Sequence, residues 1–183
     1  MFKGFTSVRI IRATDTPASL GYHLIDTLFG RVVLVGCERG ICYLGFTVEE
    51  SPEEVFSCVG KIWPEVPLVP DPELIKQTAP SDGIIRLYLK GTPFQMRVWE
   101  GLLQIKAGET CTYSGLAGRI GLPSATRAVA SAVAANPVSM YVPCHRIIRK
   151  GGDTGNYHWG RERKKVILRA EQDAAADRVI RYF

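Results

Sequence analysis

Four consecutive residues, Pro143-Cys144-His145-Arg146, set a thiol beside an imidazole and a guanidinium. A neutral thiol is a poor nucleophile, and the thiolate is the reactive form. Nearby positive charge and a hydrogen-bonding base both shift the balance toward thiolate. The chemistry on offer is covalent capture of an electrophile by Cys144. A free cysteine is also often a small, inert core residue, and the tetrapeptide alone leaves both readings open. Residues 151–160 are rich in glycine and then aromatic, ending Tyr157-His158-Trp159-Gly160. Backbone in such a loop can approach a planar ligand closely, and rings can wall a pocket. In Ile167-Leu168-Arg169-Ala170-Glu171 a carboxylate follows an apolar face. A carboxylate that orients a histidine beside a cysteine follows the logic of a catalytic triad. His145 adjoins Cys144 in the chain, so direct side-chain contact does not follow, and a bridging water is the other link.

These residues need elements to position them. Ser139 to Val142 reads as a short apolar strand leading into Pro143. Upstream, Thr92 caps a helix with Pro93 at its first position, where a missing N–H is harmless. Phe94, Val98, Leu102 and Ile105 recur at helical spacing, with Trp99 beside them, to an end near Ala107-Gly108. Tyr113 to Ile120 reads as a second helix with Leu116, Ala117 and Ile120 inward. Gly121-Leu122-Pro123-Ser124 is a turn, and Ala125 to Ala135 is a third helix stopped by Asn136-Pro137. Helix, glycine-containing turn, helix is the helix-turn-helix pattern. The third helix is alanine-rich, which admits close approach of another surface or tight packing in an interior. Val129 and Val133 face the core, and Arg127 is its one long cation.

The preceding residues form a separate small unit. Residues 1–20 are weakly patterned and read as an extension. Arg31 to Val35, a turn at residues 36–40, and Ile41 to Phe46 make a β-hairpin. Ser51 caps a helix running to about Ile62, with Glu53 and Glu54 in its first turn. Prolines 64, 67, 70 and 72 break the next stretch, a short helix follows Asp71, and Ile84 to Leu89 is a strand. The fold class is α/β (α+β), with an N-terminal α/β domain over 1–90 containing an antiparallel sheet. A mainly helical domain with the helix-turn-helix follows over 91–183.

Bulk properties narrow the function classes. Of 183 residues 46% are hydrophobic, as in an ordinary globular protein with a real core. No apolar run is long enough to cross a bilayer, and the N-terminus lacks the apolar core of a secretory signal. The expectation is a cytoplasmic protein with no membrane association. Five cysteines, an odd number, argue against a disulfide framework. Cys37 and Cys42 have poor zinc spacing, so no metal is expected. Residues 1–90 carry 9 Lys+Arg against 11 Asp+Glu, whereas residues 91–183 carry 14 against 7. The basic half also bears the cysteine motif, and a polyanion such as nucleic acid suits it. A solvated basic surface with no partner has the same composition.

Taken in order, Arg127-Ala128-Val129, Asn136-Pro137, Pro143-Cys144-His145-Arg146, Gly155-Asn156-Tyr157-x-x-Gly160 and Leu168-x-x-Glu171 resemble the O6-alkylguanine-DNA alkyltransferase family. The resemblance is dense over residues 85 to 172. It extends more thinly to Gly36-Cys37-Glu38-Arg39-Gly40-Ile41. It implies single-turnover transfer of an alkyl group from O6-alkylguanine, and O4-alkylthymine, to Cys144 without a cofactor. By motif position His145 acts through a water as the base, Glu171 polarises His145, and Asn136 braces the cysteine loop. Tyr113 donates toward guanine N3 and helps rotate the nucleotide's phosphate. Arg127 fills the gap left by a flipped nucleotide, beside Ala125, Thr126 and Ser131 on the DNA-facing helix. Tyr157, His158, Trp159 and Ile147 belong to the substrate pocket. The implied partner is double-stranded DNA held through its minor groove by a monomer. Two departures stand out. The zinc ligands of some relatives are incomplete, with Ala18 near one cysteine position and Cys42 near a histidine position. Trp159 replaces a glycine of other relatives, which implies a pocket favouring methyl over benzyl groups. The alternative of the same fold is a non-catalytic alkylated-DNA-binding protein, but such relatives replace the reactive cysteine. A helix-turn-helix regulator with a structural cysteine, and a cysteine hydrolase, are the other rivals.

Overall fold

The computed structural model describes residues 7–49, 51–78 and 80–177. The chain divides into two compact units, with the boundary in sequence between Gly91 and Thr92.

The first unit is a six-stranded sheet of order β1-β6-β4-β3-β2-β5. Its strands are β1 (Ser7–Arg12), β2 (Leu20–Thr27), β3 (Gly30–Cys37), β4 (Gly40–Phe46), β5 (Leu68–Pro70) and β6 (Ile84–Leu89). β3 and β4 are near-continuous apolar runs because both faces of the sheet are covered there. Helix α1 (Glu53–Ile62) lies against β4 and buries Val55 and Val59. Pro52, not Ser51, occupies its cap position; the Ser51 hydroxyl accepts from Glu53 N–H at 3.3 Å. The residues after Asp71 form a 3-10 helix, Pro72–Thr78.

Three expectations for this unit are corrected. The sheet is mixed, not antiparallel: β2-β3-β4 is an antiparallel meander, but β1 and β4 pair with β6, and β2 with β5, in parallel. Residues 47–83 supply the long crossover that a parallel pairing requires. The expected N-terminal extension contains β1 and the start of β2, while residues 1–6 lie outside the described residues. The hairpin turn is shorter than expected, because Gly36 and Cys37 remain in β3.

The second unit contains Cys144. Helix α2 (Pro93–Leu103) opens with a reciprocal cap, in which Thr92 Oγ1 accepts from Gln95 N–H at 3.1 Å and Gln95 Oε1 from Thr92 N–H at 2.8 Å. It ends at Leu103, a turn earlier than its apolar spacing implied. β7 (Cys111–Thr112) leads into α3 (Tyr113–Arg119). Gly121, Leu122 and a 3-10 turn, Pro123–Ala125, lead to α4 (Thr126–Ala134). The core between them is Val98, Trp99, Leu102, Leu116, Ala117, Val129 and Val133. Trp99 Nε1–H donates to Ala132 O at 2.9 Å and ties α2 to α4. Gly101 lets α3 close in, since a Cβ there would lie 2.5 Å from Ile120 Cγ2. A two-residue strand β8 (Ile147–Ile148) pairs in parallel with β7, and α5 (Arg161–Asp177) closes the unit. Residues 139–142 are a tight turn, not a strand. Met140 takes φ 72°, and Val142 N–H bonds back to Val138 O at 3.0 Å.

Candidate active site

Cys144 opens a 3-10 turn, Cys144–Arg146, between the tight turn at 139–142 and β8. Asn136 is the residue just beyond the end of α4 that braces it. Its Nδ2 donates to Val142 O at 2.8 Å and to Cys144 Sγ at 3.1 Å, while Oδ1 accepts from Val138 N–H at 3.1 Å. One amide thus holds both ends of the turn and points a donor at the sulfur. The thiol is half-buried.

His145 is wholly buried and faces Glu171 of α5, also wholly buried, with Nε2 2.8 Å from Oε1. Burial pushes the imidazole pKa down, and the hydrogen bond and charge of Glu171 only partly oppose that, so His145 is neutral at neutral pH. Burial pushes the Glu171 carboxyl up, but the bonds from His145 and Arg146 outweigh it and hold the group at about 2. An ionised Glu171 accepts only, so His145 carries its proton on Nε2. Nδ1 is then a lone-pair acceptor, and this buried atom has no hydrogen-bond partner among the described residues.

Arg146 does not serve the thiol, contrary to what its place in the tetrapeptide suggests. Its Nε and Nη2 grip Glu171 at 2.7–3.1 Å, and Nη1 donates to Ile105 O. Its charge is committed to the carboxylate. Burial accordingly raises the Cys144 pKa, with Asn136 and then Lys164 pulling against it. A thiol in that condition needs a base to become nucleophilic.

Lys164 was missed in the sequence, where Arg161 to Lys165 looks like surface charge. Its side chain is 1% exposed, and Nζ donates to Ile147 O and Thr154 O, so it joins β8 to the glycine loop. Burial lowers its pKa to about 8, and the nearby Cys144 charge opposes the drop. The signal was present: Lys164 shares the spacing of Ile167, Leu168 and Glu171 and therefore their buried face. Two neighbours grip the same loop, Arg161 through Asp153 at 2.8 Å and Arg163 through Trp159 O at 2.7 Å.

The remaining expected residues fall in two places. Tyr113, half-buried at the start of α3, follows the strand that pairs with β8. Burial and then the Cys144 charge raise its phenol. Tyr157 is raised well above its ordinary value by the same two causes in the same order. Trp159 is buried with Nε1–H on Ser139 Oγ at 2.7 Å, and the exposed His158 packs edge-on against it. The Ile147 side chain is fully buried. Arg127 and Ser131 are exposed on α4, near the half-buried Ala125 and Thr126. The structure therefore pairs Cys144 with Asn136 and His145 with Glu171, the two pairs joined through the backbone of one turn. Arg127, Ala125, Thr126 and Ser131 form a separate face.

The sequence model of the 6-O-methylguanine DNA methyltransferase DNA-binding domain matches residues 93–173. The chain is 35% identical over 178 residues to the regulatory protein Ada of Salmonella typhimurium, covering 92% of this chain and 50% of that protein. It is 35% identical over 149 residues to the inducible methylated-DNA–protein-cysteine methyltransferase of Bacillus subtilis, covering 76% of this chain and 83% of that protein. The crystal structure of Mycobacterium tuberculosis OGT in complex with DNA superimposes with a TM-score of 0.67 at 32% identity. That match covers 84% of this chain and 93% of the other. The chain spans about half the length of several curated relatives it matches.

Proposed function

We infer that this chain, which belongs to the 6-O-methylguanine DNA methyltransferase family, repairs DNA by direct reversal, taking the alkyl group of O6-alkylguanine onto Cys144. The observation that carries the reading is the fully buried His145–Glu171 contact of 2.8 Å, with Nδ1 of the same ring left as an acceptor. Glu171 fixes the tautomer, and Nδ1 takes the Cys144 proton through a water. Sulfur then attacks the alkyl carbon, the bond from that carbon to O6 breaks, and guanine departs. Asn136 Nδ2 holds the sulfur in line, and positioning of this kind removes much of a barrier. Tyr113 donates to the departing base, where negative charge builds. The thioether has no route to hydrolysis here, so each molecule acts once. O4-alkylthymine presents the same kind of alkyl–oxygen bond and is a second substrate.

An alkyl carbon within the duplex is out of reach, so the nucleotide is extruded at about a few kcal/mol. α3 and α4 act as a helix-turn-helix. α4 enters the minor groove, where its small side chains permit close approach, and Arg127 fills the vacated stack. Tyr157, His158, Trp159 and the backbone around Ile147 wall the base pocket. The minor groove carries little sequence information, which suits a protein that inspects any sequence. Residues 1–90 and 91–183 are the two domains of a cytoplasmic monomer that works without cofactor or metal. Intact Cys144, His145 and Glu171 weigh against a purely damage-binding role. Titration against an oligonucleotide carrying one O6-methylguanine tests the reading. Repair stops at one lesion per protein molecule, and continued turnover would refute it.

A further inference from the structure

Three thiols of the first unit, Cys37, Cys42 and Cys58, are unused by alkyl transfer, and two of them touch. Cys37 ends β3, Cys42 lies in β4, and their sulfurs are 3.8 Å apart. The hairpin register accounts for the contact. Val35 pairs with Tyr43 and Gly36 with Ile41, so Cys42 is the extra residue of a β-bulge without a cross-strand partner. Bulges re-aim side chains, and this one sets Cys42 against Cys37. Gly40, at φ 145°, fixes the turn, since a Cβ there would sit 2.5 Å from Arg86 O. Gln77 Nε2 donates to Cys37 O at 2.8 Å and anchors the other side.

The two sulfurs are unequal. Both are buried, at 7% and 1% exposure. The Cys42 S–H, which also lies 3.6 Å from Gly40 O, donates to Cys37. That bond outweighs burial and lowers the Cys37 pKa to about 7, while the same bond and burial push Cys42 far up. Cys37 is thus the more readily ionised sulfur of the two, with a protonated neighbour in contact with it. Glu38, Arg39, Gly40 and Gln77, around Cys37, line an open cavity of about 170 Å³ with Ile84 and Arg86. The cavity lies beside the hairpin end, and Cys37 itself keeps 7% of its surface exposed.

We propose that Cys37 and Cys42 are a thiol–disulfide couple, an oxidation site for hydroperoxides that is independent of Cys144. The Cys37 thiolate attacks a peroxide oxygen, the O–O bond breaks, and a sulfenic acid and hydroxide result. The hydroxide takes up the proton that Cys37 released. Cys42 sulfur then attacks the sulfenic sulfur, the S–O bond breaks, and its own proton leaves with the hydroxyl as water. With hydrogen peroxide, two thiols and one peroxide become one disulfide and two waters, with two electrons passing from sulfur to oxygen. The sulfurs must close from 3.8 Å to about 2 Å. Thiol–disulfide exchange with a small thiol such as glutathione returns both sulfurs to thiols.

The test uses the full wild-type chain treated with limiting hydrogen peroxide, quenched by a thiol-blocking reagent and digested with trypsin. Cleavage at Arg39 separates Cys37, in residues 32–39, from Cys42, in residues 40–61. The expected product is a link between those two peptides, lost on reduction, with fragment spectra placing the bond on Cys42 and not on Cys58 of the same peptide. In Cys42→Ser the link is absent and Cys37 proceeds to sulfinic acid. In urea the preference for this pair disappears. A link through Cys58 or Cys144 instead, Cys37 and Cys42 both recovered as free thiols, or an unchanged yield in urea would each overturn the proposal. None of these readouts depends on alkyl transfer, so failure here and failure of the repair reading are distinguishable.

Discussion

Replacing Glu171 by Gln separates the electrostatic role of this carboxylate from its shape. Its oxygens accept from His145, from Arg146 through two nitrogens, and from Gly108 N–H at 3.5 Å. The carboxyl is held from an ordinary 4.5 down to about 2. At about 1.4 kcal/mol per pH unit, that difference is about 3 kcal/mol of folding free energy at neutral pH. The figure agrees with the ~3–5 kcal/mol lost when one member of a buried ion pair is removed. A carboxylate with a depressed folded pKa stabilises the fold above its unfolded value. The difference between wild type and Glu171→Gln therefore shrinks as pH falls from 4.5 toward about 2. The amide also has a donor to offer His145 Nε2, which moves the ring proton to Nδ1 and removes the acceptor that Cys144 uses. General-base assistance contributes about 10²–10⁴ in rate, and a loss in that range is expected. Urea unfolding at several pH values reads the first effect. Single-turnover repair of a methylated oligonucleotide, on protein shown to be folded, reads the second. A folded Glu171→Gln protein that repairs at the wild-type rate would refute the role given to the pair.

Three further outcomes follow from particular contacts. Lys164→Met removes a buried cation that favours the Cys144 thiolate, so thiolate absorbance should appear at higher pH than in wild type. An unshifted titration in folded protein contradicts this, and in wild type the cation's help fades as pH rises through about 8. Trp159→Gly should raise the ratio of benzyl to methyl transfer. The buried indole bonded to Ser139 is also worth about 3–5 kcal/mol of stability, so the ratio is the readout, and an unchanged ratio sinks the specificity claim. Arg127→Ala should slow repair in duplex DNA far more than reaction with the free base. Equal slowing on both substrates would place Arg127 outside the DNA interface.

The legible parts of the chain were those whose signal is local. Thr92-Pro93 announces a helix start through its own cap, and the β-branched run of β3 with the run of β4 after a glycine-containing turn announces a hairpin. Cys144 and His145 stand together in the sequence, so their placement on one turn needed no fold to be seen. β1 was opaque because Ser7–Arg12 becomes a strand by pairing with β6, more than seventy residues away. The turn at 139–142 looked like a strand because its composition is apolar, while its shape depends on Met140 in a left-handed conformation and on the Asn136 amide. The reassignment of Arg146 from the thiol to Glu171 was invisible for the same reason: the carboxylate comes from α5, 25 residues on. Lys164 lay hidden in a basic run until its spacing with Glu171 was weighed above its charge.

The most direct measurement of the central claim is the mass of the tryptic peptide 128–146, which contains Cys144, after stoichiometric reaction with an oligonucleotide bearing one isotopically labelled O6-methylguanine. That peptide is expected to be heavier by one labelled methyl group, on Cys144, in proportion to the lesions lost. Lesions that disappear while the peptide keeps its original mass would contradict the claim.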